Sequence, residues 1–140
     1  MIIYNDFNNF KTWADVWCYW FAHWCAFNMT ALNLKVWRPR HLFHDAEKPW
    51  LVLLWGYDKA DAWHRENSKH HYEHYLKWSA CNFTDLAIDW ECSRYTKKNG
   101  QLTPREYLDK LIRDGVLNDM NPKHVDVITG ITKAMDGLGL

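Results

Sequence analysis

Between Thr12 and Leu34 the chain has neither proline nor glycine, and Trp13, Trp17, Trp20, Trp24 and Phe27 recur there at steps of three and four residues. That is the period of an α-helix with an apolar stripe. A stripe of bulky aromatics has to pack on something, so a long helix here demands further helices as partners. The Trp residues are read as core. His23 shares a helix face with Tyr19, Ala26 and Phe27 and can therefore point toward the core.

The rest of the chain continues the helical pattern. Pro39 suits the first turn of a second, short helix carrying His41, His44, Asp45 and Lys48. Pro49 follows at once and is expected to end or bend it. The run WLVLLW, residues 50–55, reads as helix ended by Gly56; a lone buried strand would lack a partner, and six residues cannot span a bilayer. From Lys59 to Cys81 there is again no glycine or proline, which predicts one helix with His64, Asn67, His70, His71 and His74 along one side. Thr84 is read as the N-cap of a helix from Asp85 to Lys97, stopped by Lys97-Lys98-Asn99-Gly100. Thr103-Pro104-Arg105-Glu106 is a capping box that opens a helix to Asp114, stopped by Gly115. Asn121-Pro122 opens a last short helix, and the GLGL tail is expected to be loose. The expectation is an all-α fold, a single compact helical domain over residues 1–140 with six or seven helices. Its motif-bearing core covers about 12–98 and its C-terminal helical extension about 103–136.

Composition narrows the function. A chain of 140 residues fits one domain with one core. Lys+Arg and Asp+Glu both number 17, so the net charge is zero, which speaks against a dedicated nucleic-acid or anionic-membrane surface. The N-terminal MIIYNDFNNFK lacks the basic and apolar regions of a signal peptide, and the expected location is the cytoplasm, of a bacterial cell or a phage-infected host. Cys18, Cys25, Cys81 and Cys92 form no C-x-x-C pair and are read as reduced and mostly buried. Eight His are present, and seven of them fall between His23 and His74. Imidazole is both the commonest metal ligand and the commonest acid/base group near neutral pH.

Several polar residues lie on these apolar helices: His23, His44 with Asp45, His64, the His70-His71 pair and Asp89. Buried imidazoles need partners. A metal ion satisfies several at once, and imidazole with carboxylate suits Mn, Fe, Co, Ni or Zn. The plain alternatives are a satisfied core histidine for His23 and a solvated polar face for His64, His70 and His71. Asp85, one turn before Asp89, competes for the last ligand position or serves as N-terminal helix charge. His41 reads as a helix-surface residue, and His74 as one over the mouth of a pocket.

The order His23, HDAEK (44–48), HHYEH (70–74) and Asp89-Trp90 resembles the HD-domain superfamily of metal-dependent phosphohydrolases. It is most similar to an uncharacterised bacterial and phage branch with His-Asp-x-Ser-Lys, His-His-x-Glu-His/Tyr and Asp-Trp motifs. The likeness covers His23 to Trp90, and Glu47 stands where that branch has Ser. The resemblance implies one or two divalent transition-metal ions. His23, His44, Asp45 and Asp89 would hold the first. Asp45 would bridge to a second, held by His64 and by His70 or His71. It further implies attack of metal-activated water on a small phosphorylated substrate, a nucleotide above all. Lys48 and a pocket His, His64 or His70, would stabilise charge or protonate the leaving group, and Glu73 or Asp85 would orient ligand imidazoles. Two other functions fit the same pattern: an HD-type di-iron oxygenase, and a non-catalytic binding protein on this scaffold. The helices after Gly100 would cover the pocket or form a homodimer face.

Overall fold

The computed structural model describes residues 13–96 and 102–140. The N-terminal stretch before Thr12 and the basic helix stop at Lys97–Gly100 lie outside the described residues. The fold is all-α. Among the described residues there are seven α-helices and no strand: α1 (Trp13–Asn33), α2 (Lys48–Trp55), α3 (Tyr57–Asn67), α4 (Tyr72–Trp78), α5 (Phe83–Thr96), α6 (Pro104–Arg113) and α7 (Pro122–Leu138). A 3-10 turn at Pro39–Phe43 precedes α2. No helix among the described residues is long and apolar enough to cross a membrane.

The chain divides into two compact units: Met1–His64 with Cys92–Gln101, and Arg65–Glu91 with Leu102–Leu140. In the first, α1 packs on the 3-10 turn and on α2. Its buried residues Val16, Tyr19, His23, Phe27, Thr30 and Ala31 follow helical steps, so one face of α1 turns inward with His23 on it. The tryptophans of α1 are on other faces. Trp13 is 61% exposed, and among the described Trp residues only Trp90 is buried, so most of them are not core. Periodicity located a stripe, but an aromatic helix has apolar residues on nearly every side. The cysteines depart similarly: all four are free, but only Cys92 is buried and Cys18 is exposed.

Pro39 opens a 3-10 turn, not an α-helix, and residues 44–47 continue as a turn. Pro49 stands in the first turn of α2 and starts that helix instead of ending one. This is the position where its missing N–H costs nothing. The segment is tied to α1 by Trp24 Nε1 donating to the Leu42 carbonyl at 2.9 Å and Asn28 Nδ2 donating to the His41 carbonyl at 3.2 Å.

Lys59 to Cys81 is not one helix. The chain leaves α3 after Asn67, turns through residues 68–71 with His71 N donating to the Ser68 carbonyl at 3.1 Å, and restarts as α4. Asn and Ser favour such turns because their side chains compete for backbone groups.

The second unit holds the apolar core: Leu86, Trp90, Leu108, Leu111, Leu117, Val127, Ile131 and Met135 close around Tyr72 and Ala87. Helix α7 packs on α4 and α6. The capping box forms as expected, with Glu106 N donating to Thr103 Oγ1 and Thr103 N to Glu106 Oε2. Gly115 follows at φ +74°. At α5 the cap is Asn82, not Thr84: Asp85 N donates to Asn82 Oδ1 at 3.1 Å. The last helix is long, 17 residues, and the tail is not loose. Gly139 caps α7 at φ +71°, Leu140 N donates to the Met135 carbonyl at 3.0 Å, and both Leu138 and Leu140 pack against the core.

Candidate metal centre

The centre is built where the turn after Phe43 meets α1 and α3. His44 stands at φ −57° and ψ 123° within the turn, and Asp45 follows in the left-handed region at φ +55°. Asp tolerates that conformation better than most residues. Both side chains of this turn are buried, and His44 Nε2 lies 3.6 Å from Asp45 Oδ1. His23, from α1, brings its Nε2 within 3.1 Å of His44 Nε2 and 3.5 Å of Asp45 Oδ2. His64, from α3, sets its Nε2 3.0 Å from Asp45 Oδ1. Stacking holds the rings: His44 lies flat on Phe27 at 3.6 Å between centroids, and Cys92 Sγ is 3.9 Å from His23 Nδ1.

Donor atoms bound to one ion at about 2.0–2.2 Å in tetrahedral array stand roughly 3.3 Å apart. The His23–His44 separation of 3.1 Å falls near that spacing; the two rings approach different oxygens of Asp45, at 3.5 and 3.6 Å, and one donor atom from each of these three buried residues lies within 4.8 Å of the others. Imidazole nitrogen with carboxylate oxygen is a donor set for a divalent transition metal. The residues present therefore fit such an ion.

The electrostatics are dominated by carboxylates. Burial alone would lower the pKa of His64, but Asp45 and Glu47 carry it up to about 9. Burial would raise Glu47, yet its hydrogen bond to His64 holds its carboxyl below the usual range. Lys48 Nζ pairs with Asp61 Oδ1 at 2.9 Å. Burial would discharge this lysine, but Asp45 and Asp61 keep it charged well above its ordinary value. A pocket beside the trio is lined by Tyr19, Trp20, His23, Asp45, Lys48 and Tyr57, among others.

Of the ligands expected from sequence, His23, His44, Asp45 and His64 come together in the first unit. His70, His71 and Asp89 belong to the second, where the His70 and His71 rings lie 4.3 Å apart and Asp89 is buried. Glu73 accepts from Arg65 at 3.3 Å, and Asp85 accepts from Asn82 Nδ2 at 3.0 Å. His41 is not a surface residue: it is 2% exposed, its Nδ1 accepts from Arg38 N at 3.1 Å, and it closes the 3-10 turn. His74 is buried with Nδ1 2.9 Å from the Glu66 carbonyl oxygen. Two residues escaped the sequence reading, Glu47 on His64 and Asp61 on Lys48. Neither had a local signal, because each acts on a partner brought near only by the turn between α2 and its neighbours.

Fold and site together define an all-α protein with a buried His/Asp cluster able to hold a metal ion. No protein-family model, no curated protein and no solved structure matches the chain.

Proposed function

We propose that the chain is a metal-dependent phosphohydrolase on an HD-like helical scaffold, acting on a nucleotide or another small phosphate ester. The observation that carries this reading is the convergence of His23, from α1, on the adjacent pair His44 and Asp45, all buried and with donor atoms close enough to share one ion. The order of the sequence motifs supports it independently. In this reading His23, His44 and Asp45 hold an ion, with His64 beside Asp45.

A bound divalent cation supplies an acidified water and polarises a phosphoryl oxygen. Lys48, kept charged by Asp45 and Asp61, offers its ammonium to a phosphate oxygen. Asp61 holds that ammonium at the pocket, and Tyr19, Trp20 and Tyr57 wall it with aromatic surface.

The test is metal analysis of the purified protein, followed by a panel of nucleotides and phosphoesters with Mn, Co, Ni, Fe and Mg. A bound transition metal is expected, with hydrolysis that Asp45→Asn lowers by about 100-fold or more. A protein that takes up no metal and hydrolyses nothing overturns the reading. Oxygen consumption by iron-loaded protein, without hydrolysis, replaces it with the di-iron oxygenase. Biological activity that survives loss of both His44 and Asp45 replaces it with a non-catalytic binding protein.

A further inference from the structure

The HDAEK stretch makes one tight turn, with Lys48 N donating to the Asp45 carbonyl at 3.0 Å. It presents three charged side chains, two of which, Asp45 and Glu47, meet on His64. Asp45 faces His23, His44 and His64, and Lys48 faces Asp61. Glu47 turns to α3, where its Oε1 lies 2.7 Å from His64 Nδ1. The imidazole of His64 has no exposed surface, while the Glu47 side chain is 43% exposed.

We propose that Glu47 is a positioning residue of the metal centre, fixing the orientation and tautomer of His64 so that Nε2 faces the ion beside Asp45. The inference rests on the metal-centre reading above. An ionised carboxylate only accepts hydrogen bonds, so the nitrogen facing Glu47 carries an N–H. Nε2 faces Asp45 Oδ1 at 3.0 Å and carries a proton too in the metal-free protein; an ion beside Asp45 would displace that proton, while Glu47 would keep the one on Nδ1. A carboxylate on the far nitrogen of a ligand imidazole sets the ring angle and raises its basicity.

The experiment measures Zn2+ affinity by competition with a chromophoric chelator. It compares the wild type, Glu47→Ala, Glu47→Gln, His64→Ala and the double variant Glu47→Ala/His64→Ala. Glu47→Ala is expected to weaken Zn2+ binding roughly 10–100-fold. Glu47→Gln should lose less, because its amide oxygen still accepts from Nδ1. In the His64→Ala background Glu47→Ala should change nothing further, since it acts through the ring. Long-range proton–nitrogen spectra of the Zn2+-loaded protein should show His64 protonated at Nδ1 in the wild type and mixed tautomers in Glu47→Ala.

The half-exposed position of Glu47 lets its single variants fold, and thermal unfolding checks these and the variants at the buried His64. Unchanged affinity and tautomer in Glu47→Ala overturn this proposal and leave the metal centre standing. A further loss on top of His64→Ala also overturns it. A wild-type protein that does not bind Zn2+ overturns both.

Discussion

His64 shows how a single residue is decided by competition between burial and charge. Its side chain has no exposed surface, which alone favours the neutral ring. Glu47 at 2.7 Å and Asp45 at 3.0 Å reverse that, and the pKa rises from 6.5 to about 9. A group whose pKa is raised by folding stabilises the folded state when protonated. In the metal-free protein that contribution is complete below about pH 6.5 and is lost as pH rises through about 9. The melting temperature of metal-free protein should therefore fall between pH 7 and pH 10. The fall should be shallower in Glu47→Gln, which lacks one of the two carboxylates. Equal slopes in calorimetry would contradict this account of His64. That His64 matters was legible from its place among the clustered histidines. That it lies between two carboxylates was not, since Glu47 is 17 positions away and on a separate helix end.

At the scale of elements, ends marked by strong local chemistry were read correctly and ends that depend on approach were not. Thr103, Pro104 and Glu106 satisfy one another within four residues, so the start of α6 needs nothing from elsewhere. Pro49 is compatible with both the end of one helix and the start of the next; the turn at Asp45 settles it as a start. Helix α7 carries a glycine whose role is steric. A Cβ at Gly130 would stand 2.6 and 2.7 Å from atoms of the Phe83 ring, which Tyr75 backs at 5.7 Å between centroids. Gly130→Ala gains about 1 kcal/mol of helix propensity. The overpacking costs about 1–3 kcal/mol. Urea unfolding should show net destabilisation of roughly 1 kcal/mol. A stabilised variant would mean that the Phe83 ring yields freely.

At the scale of the whole molecule, both units bury titratable groups beside apolar ones, and the His23, His44 and Asp45 trio lies in the first. The second has an apolar core with Leu86, Leu117 and Val127 fully buried. The first places His23, His41, His44, Asp45 and His64 among its buried residues. His41 is satisfied within its 3-10 turn, and a bound ion would add a further partner for His23, His44 and Asp45. An ion that binds only the folded chain adds about 2.7 kcal/mol of stability at 100 times its dissociation constant. Zn2+ or Mn2+ at that excess should raise the melting temperature, EDTA should reverse the gain, and Asp45→Asn should abolish the response. A melting temperature indifferent to both metal and chelator would argue that the first unit is held without an ion.

The sequence by itself determined the all-α class, the capped ends at Thr103 and Gly115, and the grouping of His23, His44 and Asp45. Each of these follows from period, from neighbours a few residues apart, or from an ordered motif. Only the tertiary structure decided which face of α1 is buried, that Pro49 begins α2, and that Glu47 and Asp61 attend His64 and Lys48. Those outcomes depend on which groups meet across distant parts of the chain, and on whether charge or burial prevails when they do. Local periodicity carries no information about either.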